Sequence, residues 1–124
     1  MHKLISNINP HIFRGYDIRG VSQKDLSTDV YYTLGRAYAT FLTQRRIKVS
    51  TVGHDNRHFS QEYSQAFIDG LNDGGVSTIF LGYSLSQITY FSAYEFKTKG
   101  TAMITASHNP GEYNGLKLGV GYSD

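Results

Sequence analysis

The sequence predicts a three-layer α/β/α domain built on a mixed, mostly parallel sheet of about four strands. Three observations predict it. Short apolar or β-branched runs alternate with segments of helical periodicity. The spacers between those runs have room for crossover helices, which pair successive strands in parallel. The 124 residues, 40% hydrophobic and 18% charged, match a single domain over 1–124 with one core, without the bias of a disordered chain.

The elements follow in order. Ser27 reads as an N-cap, and Val30, Leu34, Ala37, Tyr38, Phe41 and Leu42 then fall on one helical face. A helix of about 17 residues is expected, ending near Arg45. The densest basic patch, Gln44-Arg45-Arg46-Ile47-Lys48, sits at that helix end, where cations face the negative end of the dipole. Residues 49–52 form a short strand running into Gly53. Ser60 is the next N-cap, Tyr63, Phe67 and Leu71 follow at helical spacing, and Asp73-Gly74-Gly75 is the stop. Residues 76–81 read as a buried strand closed by Gly82. Ser86 is placed to cap a third helix through Tyr90, Phe91 and Tyr94, ending at Gly100. Residues 101–105 are an apolar strand. A last strand near 116–120 is expected to be antiparallel, because the loop before it is too short for a crossover helix.

Several function classes are excluded by composition. There are no cysteines, hence no disulfides, thiolate zinc sites or thiol nucleophiles. A formal charge of +2 with scattered Lys and Arg does not point to nucleic acid. The start, Met1-His2-Lys3-Leu4-Ile5, lacks the apolar run of a signal peptide, and no stretch suits a membrane span, so a cytoplasmic protein is expected. The ten tyrosines suit half-buried surfaces, where an apolar body and a polar tip are both useful.

Ligands of parallel sheets sit beyond the carboxyl ends of the strands. Three loops point there: 53–60, 82–86 and 106–115. The third is the informative one, Thr105-Ala106-Ser107-His108-Asn109-Pro110-Gly111-Glu112-Tyr113-Asn114-Gly115-Leu116-Lys117. Asn-Pro and Pro-Gly bend a chain sharply, which pushes the Ser107 hydroxyl out of the sheet toward an electrophile. Glycines leave room for a phosphate and for N–H donors, and Lys117 returns as a cation. On composition alone a plain polar turn accounts for these residues as well. Near the N-terminus, Phe13-Arg14-Gly15-Tyr16-Asp17-Ile18-Arg19-Gly20 combines two arginines with two glycines, as an anion site does, or as a solvated turn does with Asp17 paired to an arginine. In Gly53-His54-Asp55-Asn56-Arg57-His58-Phe59-Ser60, the two histidines lack the helix and third ligand of a zinc site, and an Asp55/Arg57 hydrogen-bond network that orients the loop is expected instead. No Walker A sequence and no nucleophile elbow are present.

Taken together, the three segments resemble the α-D-phosphohexomutase superfamily, in order and spacing, over most of the chain from Phe13 to Leu118. Thr-Ala-Ser-His-Asn-Pro at 105–110 is the most specific element. Tyr-Asp-Ile-Arg-Gly at 16–20 resembles the phosphomannomutase/phosphoglucomutase branch, and Gly53-His54-Asp55-Asn56-Arg57 resembles the Gly-Arg-Asp-x-Arg loop. Two departures concern loop geometry: His54 stands where the family has Arg, and Ser86-Gln87 stands where it has Thr-Pro.

The resemblance implies the N-terminal domain of an enzyme that interconverts hexose 1- and 6-phosphates, of mannose or glucose, through a phosphoserine and a sugar 1,6-bisphosphate. It implies Ser107 as the phosphoserine and Ser107, His108 and Lys117 as catalytic residues. Tyr16, Arg19 and Asn109 become the substrate- and phosphate-binding set. His108 has two open roles, proton transfer or loop shaping. A phosphoserine carries about −1.5 to −2 charges, which Arg19, Lys117 and a metal ion would balance. The implied cofactors are Mg²⁺, reached here only through the Ser107 phosphate, and glucose or mannose 1,6-bisphosphate as activator. The main metal ligands and the sugar-recognition loops belong to later family domains that nothing here matches. The chain is therefore expected to be a fragment, inactive alone, whose partners are a hexose phosphate and the remaining domains of its own chain. The competing reading is a non-catalytic truncated paralogue that binds a sugar phosphate or a partner protein through a Tyr-rich exposed surface.

Overall fold

The computed structural model describes residues 2–6, 8, 18–57, 59–83, 99–105 and 113–120. Five strands and two helices lie among them: β1 (Ile18–Val21), α1 (Thr28–Gln44), β2 (Val49–His54), α2 (Ser60–Asp73), β3 (Ser77–Tyr83), β4 (Lys99–Ile104) and β5 (Tyr113–Val120). The strands form one sheet in the order β1-β5-β4-β2-β3. One side is parallel, with β2 between β4 and the edge strand β3. β5 runs antiparallel to both β4 and β1.

The α/β class, the mixed sheet and the antiparallel last strand are as expected. The count is five rather than about four because Ile18–Val21, to which the sequence assigns no strand, pairs with β5. Gly82 does not close β3. It lies inside the strand with φ +68°, at the register shift between Val52 and Gly53, where a glycine absorbs the irregularity without Cβ strain. Gly100 does not end a helix; it pairs with Ser50 on one side and Val120 on the other. Of the third helix expected from Ser86 to Gly100, residues 86–98 lie outside the described residues.

Ser27 caps α1 as predicted, its Oγ accepting from Val30 N at 3.1 Å. The two helices end alike. Arg46 N donates to Thr43 O and Ile47 N to Leu42 O in α1; Gly75 N donates to Asn72 O and Val76 N to Leu71 O in α2. Each ending needs one residue at positive φ: Gly75 at +92° supplies it in α2, Arg46 at +61° in α1. The apolar residue after the turn is buried in both cases, Ile47 and Val76. Arg45 donates from Nη1 to Phe41 O at 3.1 Å, so the basic patch does serve the helix end.

The helices pack closely because Gly35 and Gly70 meet at their crossing. A Cβ on Gly35 would run into Phe67 O, and one on Gly70 into Tyr32 O. Against the sheet they bury Tyr31, Leu34, Tyr38, Leu42, Tyr63, Phe67 and Leu71 with Val52, Ala102, Ile104 and Leu116. The alternate strand residues Thr51, Thr101 and Met103 are buried too, so the sheet is covered on both faces, as a three-layer fold requires.

Candidate functional site

β2, β3 and β4 end side by side, with His54 paired to Tyr83 and to Ile104. β5 starts at the same edge, since Thr105 N donates to Gly115 O at 3.1 Å. β4 therefore ends and β5 begins at the carboxyl edge, where ligands of such sheets are held.

Asp55 organises this edge. Its Oδ1 accepts from Arg57 N (3.0 Å) and Ser60 Oγ (2.7 Å), and its Oδ2 from Arg57 Nε (3.1 Å) and Thr105 Oγ1 (2.6 Å). The expected Asp55/Arg57 network is present, with both side chains mostly buried, at 19% and 12% exposure. It also reaches beyond the Asp55–Arg57 pair. Ser60 Oγ, having donated to Asp55, accepts from Asn114 Nδ2 at 2.9 Å. Asn114 Oδ1 turns back to its neighbour's amide, Gly115 N, at 2.8 Å. Beneath it, the Tyr31 hydroxyl donates to Gly115 O at 2.8 Å. Burial pushes the Tyr31 phenol well above its ordinary pKa, and nearby Tyr63 and Asp55 add to the rise.

Ser60 was expected to cap α2, and it does not. It is the first helical residue; the cap position falls to Phe59, at φ +71° and with no side-chain cap bond. The hydroxyl is committed elsewhere: it donates to Asp55 at 2.7 Å, and its oxygen accepts from Asn114 Nδ2 at 2.9 Å rather than from an amide of the first turn.

His54 is the last residue of β2 and not a loop residue. Its Nδ1 donates to Asp55 O at 2.7 Å and its ring lies 5.9 Å from that of Phe80. Among the described residues no group of three or more His, Asp or Glu is placed to hold a metal ion. His58 lies outside the described residues.

Of the predicted site residues, Ser107, His108, Asn109 and Tyr16 lie outside the described residues. Arg19, of which the backbone alone is described, pairs with Gly115, and Lys117 pairs with Met103. Gly115 and Lys117 are two apart on β5, so the register positions of Arg19 and Lys117 belong to one face of the sheet, opposite the face of Leu116. Lys117 is half-buried there. Thr105, Ser60 and Asn114 are given no role in the site by the sequence, where Ser60 reads only as a helix cap. Their signal was positional: each is a polar residue at the end of an element on the ligand-binding edge.

The arrangement holds both stems of 106–112 to one carboxylate and places a lysine on the returning strand.

The family model described as phosphoglucomutase/phosphomannomutase, alpha/beta/alpha domain I, matches residues 10–122. A phosphomannomutase of Vibrio cholerae is 38% identical over 108 residues, covering 86% of this chain and 23% of the relative. A phosphoglucomutase of Neisseria gonorrhoeae is 36% identical over 117 residues, covering 94% of this chain and 25% of the relative. The chain thus spans about a quarter of the length of these curated relatives. Among solved structures, a phosphoglucomutase/phosphomannomutase family protein of Burkholderia thailandensis superposes with a TM-score of 0.86 at 32% identity, over 91% of this chain and 26% of its own.

Proposed function

The chain belongs to the phosphoglucomutase/phosphomannomutase family as its domain I, and from that premise we propose that Ser107 carries the phosphoryl group in an enzyme interconverting hexose 1- and 6-phosphates. One observation carries the proposal at the level of geometry. Asp55 ties both stems of the Ser107 segment together at the ligand-binding edge of the sheet. A cytoplasmic setting goes with this reading; no helix among the described residues is long and apolar enough to cross a membrane.

The chemistry divides into two transfers. The free hydroxyl of a hexose monophosphate attacks the phosphorus on Ser107, the P–Oγ bond breaks, and a hexose 1,6-bisphosphate forms. After the bisphosphate turns over, Ser107 Oγ attacks its other phosphate, and the second monophosphate leaves. A proton leaves the attacking hydroxyl in each direction, and His108 stands next to Ser107 in sequence as its candidate acceptor. Lys117 and Arg19 hold charge on the moving phosphoryl group, with Tyr16 and Asn109 completing the phosphate-binding set. The described residues do not by themselves fit a Mg²⁺ site. Mannose and glucose phosphates both remain substrates of this reading, since relatives of both names match.

The competing reading, a non-catalytic binding module, rested on an exposed tyrosine surface. The tyrosines whose side chains are described, Tyr31, Tyr32, Tyr38 and Tyr63, are instead buried. Tyr31 and Tyr38 send their hydroxyls to strand carbonyls, of Gly115 and Thr101.

The test is Ser107→Ala in the full-length gene product. Mutase turnover with hexose 1-phosphate is expected to fall by about a thousandfold or more, as when a covalent nucleophile is removed, with the melting temperature unchanged. Full activity in Ser107→Ala would reject the assignment.

A further inference from the structure

We infer that Asp55 is a positioning residue for phosphoryl transfer, acting on the Ser107 segment through Thr105 on one stem and through Ser60 and Asn114 on the other; this rests on the reading of Ser107 as the phosphoryl carrier. A carboxylate offers about four lone-pair sites on two oxygens, and Asp55 uses four. Two serve its own loop, through Arg57 N and Nε. The other two leave the loop. Thr105 Oγ1 at 2.6 Å and Ser60 Oγ at 2.7 Å are at the short distances of hydroxyls donating to a charged acceptor. Because Ser60 donates to Asp55, its oxygen is left to accept from Asn114 Nδ2 at 2.9 Å. The direction of donation runs from Asn114 to Ser60 to Asp55, and from Thr105 to Asp55, so one anion sets the orientation of every member. Thr105 precedes the segment by one residue, and Asn114 lies at the start of β5 that follows it.

A second observation points the same way. α2 starts with no side-chain cap while Ser60 Oγ serves Asp55 and Asn114, and Phe59 is held at φ +71°, a strained conformation for a non-glycine residue. A loop with no task beyond joining β2 to α2 gains nothing from that local sacrifice. Arg57, 3.1 Å from Oδ2, offsets the Asp55 charge, so the carboxylate can stand near an anionic phosphoserine site without a net negative field of its own.

The experiment compares Asp55→Asn, Thr105→Val and Thr105→Ser in the full-length gene product, measuring kcat, KM, phosphate content of Ser107 and melting temperature. Thr105→Val keeps the shape and removes the hydroxyl; Thr105→Ser keeps the hydroxyl. A misplacement near 1 Å costs about a hundredfold in rate. The expected result is kcat down by about that factor in Asp55→Asn and Thr105→Val, at near-normal KM, with Thr105→Ser close to wild type. The double variant Asp55→Asn/Thr105→Val should be no slower than Asp55→Asn alone, because both remove one interaction. A merely structural role predicts a different outcome, with lowered melting temperatures but unchanged kcat per phosphorylated site, and that outcome overturns the inference. Should Asp55→Asn fail to fold, the Thr105 pair decides. Wild-type protein that never carries phosphate on Ser107 overturns the functional reading, and this inference with it. Wild type labelled and active, alongside an unimpaired Thr105→Val, overturns this inference alone.

Discussion

Tyr31 shows what a single buried side chain does for the site. It has no exposed surface, stacks on Tyr63 with ring centroids 4.4 Å apart, and holds the Gly115 carbonyl beneath the Asn114 amide. Tyr31→Phe removes the donor and leaves a buried carbonyl with one bond fewer, a loss of about 0.5–1.5 kcal/mol at neutral pH. Burial raises the folded-state pKa of this phenol above the unfolded value of about 10. The unfolded chain therefore releases this proton first as pH rises. The stability that the phenol contributes is fully present below pH 10 and is lost as pH climbs toward the folded pKa. Urea unfolding at pH 7 and at pH 10.5 checks this: the gap between wild type and Tyr31→Phe is expected to narrow at the higher pH. A gap of equal size at both values would contradict the role given to burial. At this same scale the sequence was only half informative. Asp55 and Arg57 stand two apart, so their pairing was legible, whereas Thr105 and Asn114 reach Asp55 only across the sheet, where no local pattern shows it.

The elements were more legible, because periodicity and end signals are local. Ser27, the apolar face after it and the glycines after Asp73 located α1 and the end of α2. β1 was missed because a short strand at the sheet edge, rich in polar and glycine residues, carries no alternation of its own; its pairing comes from β5. Ser60 was misread because a hydroxyl before a helical pattern looks the same whether it caps the helix or bonds a carboxylate across a loop. The matched endings of α1 and α2 yield a prediction. Arg46 sits at φ +61° where α2 uses Gly75, and its side chain is exposed. Arg46→Gly relieves the left-handed strain, offset in part by glycine's larger entropy in the unfolded chain, for a net gain of about 0.5–1 kcal/mol. Chemical denaturation should show a raised midpoint with an unchanged slope. A lowered midpoint would mean that the Arg46 side chain contributes more than its backbone costs.

For the whole molecule, the decisive feature is that one sheet edge collects the ends of β2, β3 and β4 and the start of β5, and that a single carboxylate joins three of these places. Fold class and family were readable because they rest on alternation of elements and on contiguous motifs, above all residues 105–117. The clamp was not readable, because it exists only once β2, β4 and β5 are neighbours. The decisive quantity is where the phosphoryl group resides. Incubating the full-length gene product with glucose 1,6-bisphosphate labelled in its phosphates, then mapping the phosphopeptides, measures this directly. The label is expected on the peptide containing Ser107 and on no other, and to return to sugar when hexose monophosphate is added. Label on another residue, or none at all in protein that turns over substrate, would contradict it.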